Sequence, residues 1–73
     1  MKRGWEYRVV AKNGTLAIHE VFFNSRGRAT QMTEDPVAPV GMSRFELYSD
    51  LVKMKSAFDV PVFEPPKAWG VKR

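Results

Sequence analysis

Apolar and polar residues alternate in the segment WEYRVVAK at positions 5–12. A period of two, built from aromatic and β-branched residues, predicts a β-strand. Asn13 and Gly14 follow, and both residue types tolerate the positive φ angles of a type I′ turn. The segment LAIHEVFF at positions 16–23 then predicts a second strand, with apolar residues on both of its faces. The pattern therefore predicts a tight β-hairpin.

A two-residue turn fixes which residues of the two strands lie opposite each other, and opposed residues share a face of the sheet. One face, which we expect to be the core, is mainly apolar and carries a single charge: Trp5, Tyr7, Val9, Ala11, Leu16, Ile18, Glu20 and Phe22. The other face is mixed, and we expect it to tolerate water: Glu6, Arg8, Val10, Lys12, Thr15, Ala17, His19, Val21 and Phe23.

A third strand is predicted in RATQMTE at positions 28–34, after a turn at NSRG, positions 24–27. Its register has two solutions. A four-residue loop sets Glu20 opposite Gln31, and a three-residue loop with a bulge sets it opposite Met32.

The two prolines of DPVAPVG, positions 35–41, exclude a helix or a central strand and predict an extended crossing segment. A helix is predicted after it. Ser43 and Glu46 have the spacing of a capping box, in which the serine accepts from the backbone N–H of the glutamate and the glutamate reaches back. An apolar stripe follows at helical spacing: Leu47, Tyr48, Leu51, Met54 and Phe58. A single stripe indicates a helix that covers one face of a sheet.

The step from Val60 to Pro61 ends the helix, and VPVFE at positions 60–64 predicts a short edge strand, where a proline is tolerated. The predicted fold class is α+β. It is a three-stranded antiparallel meander covered on one face by one helix, with a short fourth strand in the order β-β-β-α-β. If that strand is parallel to the first, the helix forms a right-handed crossover. We expect residues 1–64 to form one domain and residues 65–73 a flexible basic C-terminal tail.

Composition limits the classes of protein that fit. A chain of 73 residues, 44% hydrophobic, supports one small domain with a modest core. The absence of cysteine excludes disulfides and thiolate-bound metal and favours a reducing compartment. No apolar run approaches the roughly 20 residues of a membrane span. We therefore expect a cytoplasmic protein that needs no membrane.

The formal charge of +4 is located at the ends of the chain. Five of the 12 basic residues are terminal: Lys2, Arg3, Lys67, Lys72 and Arg73. Positions 5–64 carry the other seven against all 8 acidic residues, so the folded body is close to neutral. Basic ends raise nonspecific affinity for phosphate by counterion release, or simply keep the chain soluble.

His19 and Glu20 begin like the zinc motif H-E-x-x-H, but position 23 is phenylalanine and the segment is predicted to be a strand. Neighbours on a strand point to opposite faces, so the pair cannot act together as acid and base. We expect His19 to be partly exposed, and we expect no metal, no cofactor and no catalytic residue. The chain is not predicted to be an enzyme.

Glu20 is the residue that conflicts with its surroundings, because a charge on a core face is costly unless it is paired or reached by water. Its carboxylate has three candidate donors: Tyr7, Tyr48 and Gln31. Otherwise it lies at the edge of the helix contact, or the helix leaves a notch there for a partner.

Aromatic residues beside basic ones also occur on RNA-binding sheets. Here Trp5, Tyr7 and Phe22 lie on the predicted core face, which leaves Phe23 outside. An aromatic core is the interpretation that this placement favours.

Several segments resemble a set of small bacterial single-domain proteins without an assigned activity: AIHEVFF at positions 17–23, Gly27, TEDPVAPVG at positions 33–41, and a D-x-PV end at positions 59–62. The order β-β-β-α-β also resembles the N-terminal domain of HicB-type antitoxins, a partial RNase H-like fold. That resemblance implies a dimer that binds a small RNase toxin. The glycine-rich second strand of that family is not kept here, and no functional residue carries over.

The expected function is that of a small non-enzymatic interaction module, which binds a protein partner or forms a homodimer through its open sheet face. The candidate contact residues are Arg8, Val10, Ala17, His19, Val21 and Phe23. The alternative is a weak nucleic-acid-binding protein that uses its basic ends. The candidate contacts are then Lys2, Arg3, Lys67, Trp69, Lys72 and Arg73.

Overall fold

The computed structural model describes residues 4–69, and residues 1–3 and 70–73 lie outside this range. Three strands form an antiparallel sheet in chain order: β1 (Trp5–Lys12), β2 (Thr15–Phe23) and β3 (Ala29–Met32). Helix α1 (Arg44–Lys55) follows, and two short 3-10 turns come after it: Ser56–Asp59 and Lys67–Trp69. The predicted α+β class, with an antiparallel meander and one helix, is confirmed.

Both predicted turns contain the backbone conformations that their sequences favour. Asn13 and Gly14 have φ angles of 54° and 80°, as a type I′ turn requires. All eight predicted pairs between β1 and β2 are present, so the register of the hairpin is confirmed. In the second turn Gly27 has a φ of 80°. The Asn24 side-chain oxygen accepts there from the backbone N–H of Arg28 at 3.0 Å.

The register of β3 differs from both solutions that the sequence offered. Glu20 is adjacent to Thr33, whose N–H donates to the Glu20 carbonyl oxygen at 2.9 Å. The predicted positions opposite Gln31 and Met32 are therefore wrong. The cause is a β-bulge, in which the pairing between β2 and β3 skips Thr30. A bulge adds one residue to one strand only, and the loop length does not reveal it.

The segment between β3 and α1 is neither helix nor strand, as its prolines predict. It follows the edge of β2, where the N–H of Val37 donates to the Ile18 carbonyl oxygen at 2.9 Å. At the start of α1 the Ser43 hydroxyl accepts from the N–H of Glu46 at 3.1 Å, which confirms the predicted cap. The Glu46 carboxylate reaches back to the N–H of Met42, at 2.8 Å.

The fourth strand is reduced to one bridging residue. Phe63 forms a parallel bridge with Val10. Its N–H donates to the Val9 carbonyl oxygen at 2.8 Å, and its carbonyl oxygen accepts from the N–H of Ala11 at 3.0 Å. The predicted parallel contact with β1 is present, but residues 60–64 do not extend it into a ladder.

The pairing of residues into faces is confirmed, but the prediction of which face is buried is wrong. On the face expected to tolerate water, Val10 and Val21 are 0% exposed and His19 is 1% exposed. On the expected core face only Val9 is buried, and Leu16 is 63% exposed.

The C-terminal segment explains this difference. Residues that pair across a bridge share a face, so Phe63 lies on the same face as Val10. The Trp69 ring packs against the Phe63 ring with centroids 5.7 Å apart. The C-terminal segment, residues 60–69, therefore contacts the face of the sheet that carries Val10, and α1 is contacted by Tyr7 of the other face, which donates to Asp50. Met54 of α1 and Ala57 of the following turn are buried. The predicted flexibility of residues 65–73 stays a prediction.

Candidate interaction surface

The predicted contact surface on the mixed face is largely closed. Val10, His19 and Val21 are buried, so the prediction that this face is open is wrong for these residues. Ala17 and Phe23 are half-buried. The mixture of polar and apolar residues predicted a solvent-exposed face. Inside the fold, however, the polar side chains of this face form hydrogen bonds to backbone groups.

His19 provides one of these bonds, and the prediction that it is partly exposed is wrong. Its Nδ1 lies 2.9 Å from the carbonyl oxygen of Thr33. A carbonyl oxygen can only accept, so Nδ1 carries the proton of this bond. The Thr33 hydroxyl oxygen is 3.4 Å from the same nitrogen. His19 therefore ties β2 to the segment that follows β3, which is a structural role.

Arg8 lies opposite His19 in the sheet and ties β1 to the C-terminal segment. Its Nη2 donates to the carbonyl oxygen of Pro61 at 2.9 Å, and its Nη1 to the Glu6 carboxylate at 3.2 Å. The guanidinium carbon lies 5.6 Å from the centre of the Phe63 ring, within the range of a cation–π contact. This set of contacts holds the C-terminal segment over the sheet.

Glu20 is half-buried, and its carboxylate accepts no hydrogen bond from any residue within 4–69. Among the predicted donors, Tyr7 instead donates its hydroxyl to Asp50 at 3.4 Å, and Tyr48 and Gln31 are exposed.

The predicted apolar stripe of α1 does not pack onto the sheet as expected. Met54 is its single buried member within α1, and Leu47, Tyr48, Leu51 and Phe58 remain exposed. The prediction that this stripe covers the sheet is thus wrong for four of its five residues. The helix contacts the sheet through a narrow side only, because the sheet is small and the 3-10 turn Ser56–Asp59 takes up part of the contact with β1.

Two further apolar residues extend the exposed surface of the helix. Phe45 is 77% exposed and Val52 is 48% exposed. At about 100° per residue, these apolar side chains are spread over roughly half of the helix circumference, from Met54 to Phe45, with Arg44 and Lys55 among them. We call the exposed part of this arc the apolar face: Phe45, Leu47, Tyr48, Leu51, Val52 and Phe58. This wide apolar arc can be read from the sequence. Packing on one sheet face needs only one stripe, so the extra width indicates apolar residues that the sheet does not cover.

A groove of about 760 Å³ runs along the apolar face. Its other walls are two residues of β2, Ala17 and Ile18, and three of the crossing segment: Pro36, Val37 and Pro39. Lys55 is the single charged residue among the described residues that line it. The groove is therefore suited to an apolar polypeptide surface rather than to a charged small molecule.

Two of the six residues predicted for nucleic-acid contact lie within the described part of the chain. Lys67 is exposed, and Trp69 is half-buried against Phe63. The other four candidates lie outside the described residues: Lys2, Arg3, Lys72 and Arg73. In the described part of the chain, no group of three or more His, Cys, Asp or Glu side chains is arranged to hold a metal ion. None of the helices within residues 4–69 has the length and apolar character to cross a membrane.

Comparison with known proteins places the chain in no family: no family model matches it, and neither curated proteins nor solved structures give a significant match.

Proposed function

We propose that this chain is a small non-enzymatic interaction module that self-associates through the apolar face of α1. The observation that carries the proposal is the exposure of three aromatic side chains on that face: Phe45 at 77%, Tyr48 at 64% and Phe58 at 70%. Exposed apolar groups of this size on one helix are unusual in a chain that functions alone.

The area of the apolar face fits an interface between two proteins. An aromatic side chain presents about 200 Å², so these three alone leave on the order of 400 Å² in water. Leu47, Leu51 and Val52 lie between them and are each 43–51% exposed. With these residues the patch exceeds the few hundred Å² that monomers commonly expose and approaches the roughly 800 Å² per partner of a standard interface.

The same surface replaces the mixed sheet face as the proposed contact region. Three of the residues first predicted for contact are buried, whereas the apolar face and its groove are accessible, and one predicted contact residue, Ala17, lines that groove. The lack of cysteine supports a cytoplasmic setting for this interaction. The HicB-type likeness, with its toxin partner, and the nucleic-acid alternative stay predictions.

Sedimentation equilibrium from 1 to 100 μM tests the proposal directly. We expect the wild-type chain to reach twice the mass of one chain, and Leu51→Glu to remain monomeric, because a carboxylate in the centre of the interface is desolvated. Leu51 is 51% exposed in the single chain, so this substitution leaves the monomer fold intact, as circular dichroism will show.

The matched control is Ser49→Glu, which adds the same charge to α1 outside the apolar face. It is expected to dimerise like the wild type. A wild-type chain that stays monomeric at 100 μM overturns the proposal. So does a Leu51→Glu variant that dimerises as well as the control.

A further inference from the structure

The residues of the apolar face and its flanks have an order along the chain that suits pairing with itself. From position 44 to position 59 the sequence is RFELYSDLVKMKSAFD. Read from either end, a charged residue comes first and a phenylalanine second, and two aliphatic residues occupy the middle. The two ends carry opposite charges, arginine at 44 and aspartate at 59.

We infer that two copies of this chain pair their α1 helices antiparallel, with the two-fold axis between Leu51 and Val52. This inference rests on the proposed self-association and assigns its geometry. In such a pair Arg44 of one protomer lies at the level of Asp59 in the other. Tyr48 likewise lies at the level of Lys55.

These side chains point to the same side of the helix. At about 100° per residue, Arg44, Tyr48, Leu51 and Lys55 fall within an arc of roughly 60°, whereas Ser49 and Lys53 lie on the far side. The 3-10 turn Ser56–Asp59 directly continues α1. At about 120° per residue it keeps Phe58 on this arc and places Asp59 beside the edge of the apolar face, next to the direction of Phe45. The partner helix therefore lies along the groove, in contact with the apolar face over its whole length.

Three charged side chains on this arc or at its edge can bind groups of a partner. Arg44, Lys55 and Asp59 are exposed, and none of them forms an ion pair or a side-chain hydrogen bond within residues 4–69. In the antiparallel pair, Arg44 of each protomer pairs with the Asp59 carboxylate of the other, so the contact occurs once at each end of the interface. The Lys55 ammonium meets the face of the partner's Tyr48 ring, which attracts a cation.

The charges also disfavour a neighbouring register. Sliding the helices by about one turn moves the axis to between Ser49 and Asp50 and places Arg44 at the level of Lys55 in the partner. Two like charges then face each other at both ends of the interface, which is unfavourable. The antiparallel arrangement in addition aligns the helix dipoles favourably.

Charge exchange tests this register. Dimer dissociation constants are measured for Arg44→Asp, Asp59→Arg and the double variant. We expect each single reversal to weaken the dimer about tenfold, and the double variant to return to within about threefold of the wild type, because the two charges change places. The controls are Lys53→Asp and Glu64→Arg, which make the same charge changes at exposed positions outside the interface. They are expected to leave the dissociation constant unchanged.

Disulfide trapping tests the axis independently, since the chain contains no cysteine of its own. Leu51→Cys is expected to form a covalent dimer on oxidation, because the two copies of position 51 lie beside the axis. Ser49→Cys, on the far side of the helix, is not expected to do so. A dimer that Leu51→Glu disrupts, but that shows neither charge rescue nor crosslinking at position 51, overturns this register and leaves the proposed function standing. A monomeric wild-type chain overturns both.

Discussion

At the scale of single residues, two polar side chains hold the sheet and its surroundings together from within. His19 and Arg8 are neighbours across β1 and β2, and each bonds a backbone carbonyl of a segment outside the hairpin, Thr33 and Pro61. The bond of His19 is part-buried, and because a carbonyl left unpaired there costs free energy, this bond fixes the position of the segment after β3.

Replacing His19 with alanine tests this role. The ring is 1% exposed, so His19→Ala leaves a cavity and an unpaired carbonyl oxygen. We expect it to lower the free energy of unfolding by about 2–4 kcal/mol in urea denaturation. Gln31→Ala, on the exposed side of β3, is the control and should change stability by less than about 0.5 kcal/mol. Equal effects of the two substitutions would show that His19 contributes no structural bond.

What could be predicted for these residues was their pairing, not their burial. The turn at Asn13 and Gly14 determined all eight pairs of the hairpin, since turn chemistry is local. Burial depends on what covers a face, and the face that carries His19 is joined by the C-terminal segment, where Phe63 pairs with Val10 and Trp69 packs against Phe63. That contact joins residues far apart in the sequence, and no periodicity or spacing predicts it.

At the scale of elements, the start of the helix follows the sequence closely and its packing does not. The predicted stop at Val60 and Pro61 is preceded by a 3-10 turn, because α1 itself ends at Lys55. The cap at Ser43 was predicted because a capping box is a contact between residues three apart. The bulge at Thr30 was missed because a strand can hold an extra residue without a marker in its sequence. The apolar stripe was predicted from its spacing, but of its five residues Met54 alone is buried.

Gly41 determines how closely the crossing segment approaches the helix. A Cβ atom at Gly41 would lie 2.4 Å from the backbone nitrogen of Leu47 and 2.7 Å from the backbone carbon of Glu46. Backbone atoms cannot move aside as a flexible side chain can, so Gly41→Ala displaces the start of α1. We expect a loss of about 1–3 kcal/mol in thermal or urea unfolding.

The control for this substitution is Gly4→Ala, where no heavy atom lies within 4 Å of the added Cβ and φ is not in the left-handed region. It is expected to leave stability within about 0.5 kcal/mol of the wild type. If both alanines were tolerated equally, the close approach at Gly41 would not be a constraint on the fold.

At the scale of the whole molecule, the sheet is covered on both sides but the helix is not. Val10 and Val21 are buried on the face of the sheet that Phe63 of the C-terminal segment joins, and Met54 and Ala57 are buried in the helix and its following turn. This small core leaves half of the helix circumference exposed with apolar side chains. A second copy that pairs along α1 would enlarge the core without any change in the chain's own fold.

Isotope-filtered NOE spectroscopy on a mixture of labelled and unlabelled chains directly tests whether two chains pair antiparallel along α1. Tyr48 and Lys55 are two helical turns apart in one chain, or roughly 10 Å at 1.5 Å per residue, which is beyond the reach of an NOE. In the antiparallel pair we expect NOEs between the Tyr48 ring of one chain and the Lys55 methylene groups of the other. A spectrum without intermolecular NOEs from the apolar face, with the rotational correlation time of a single chain at millimolar concentration, would contradict it.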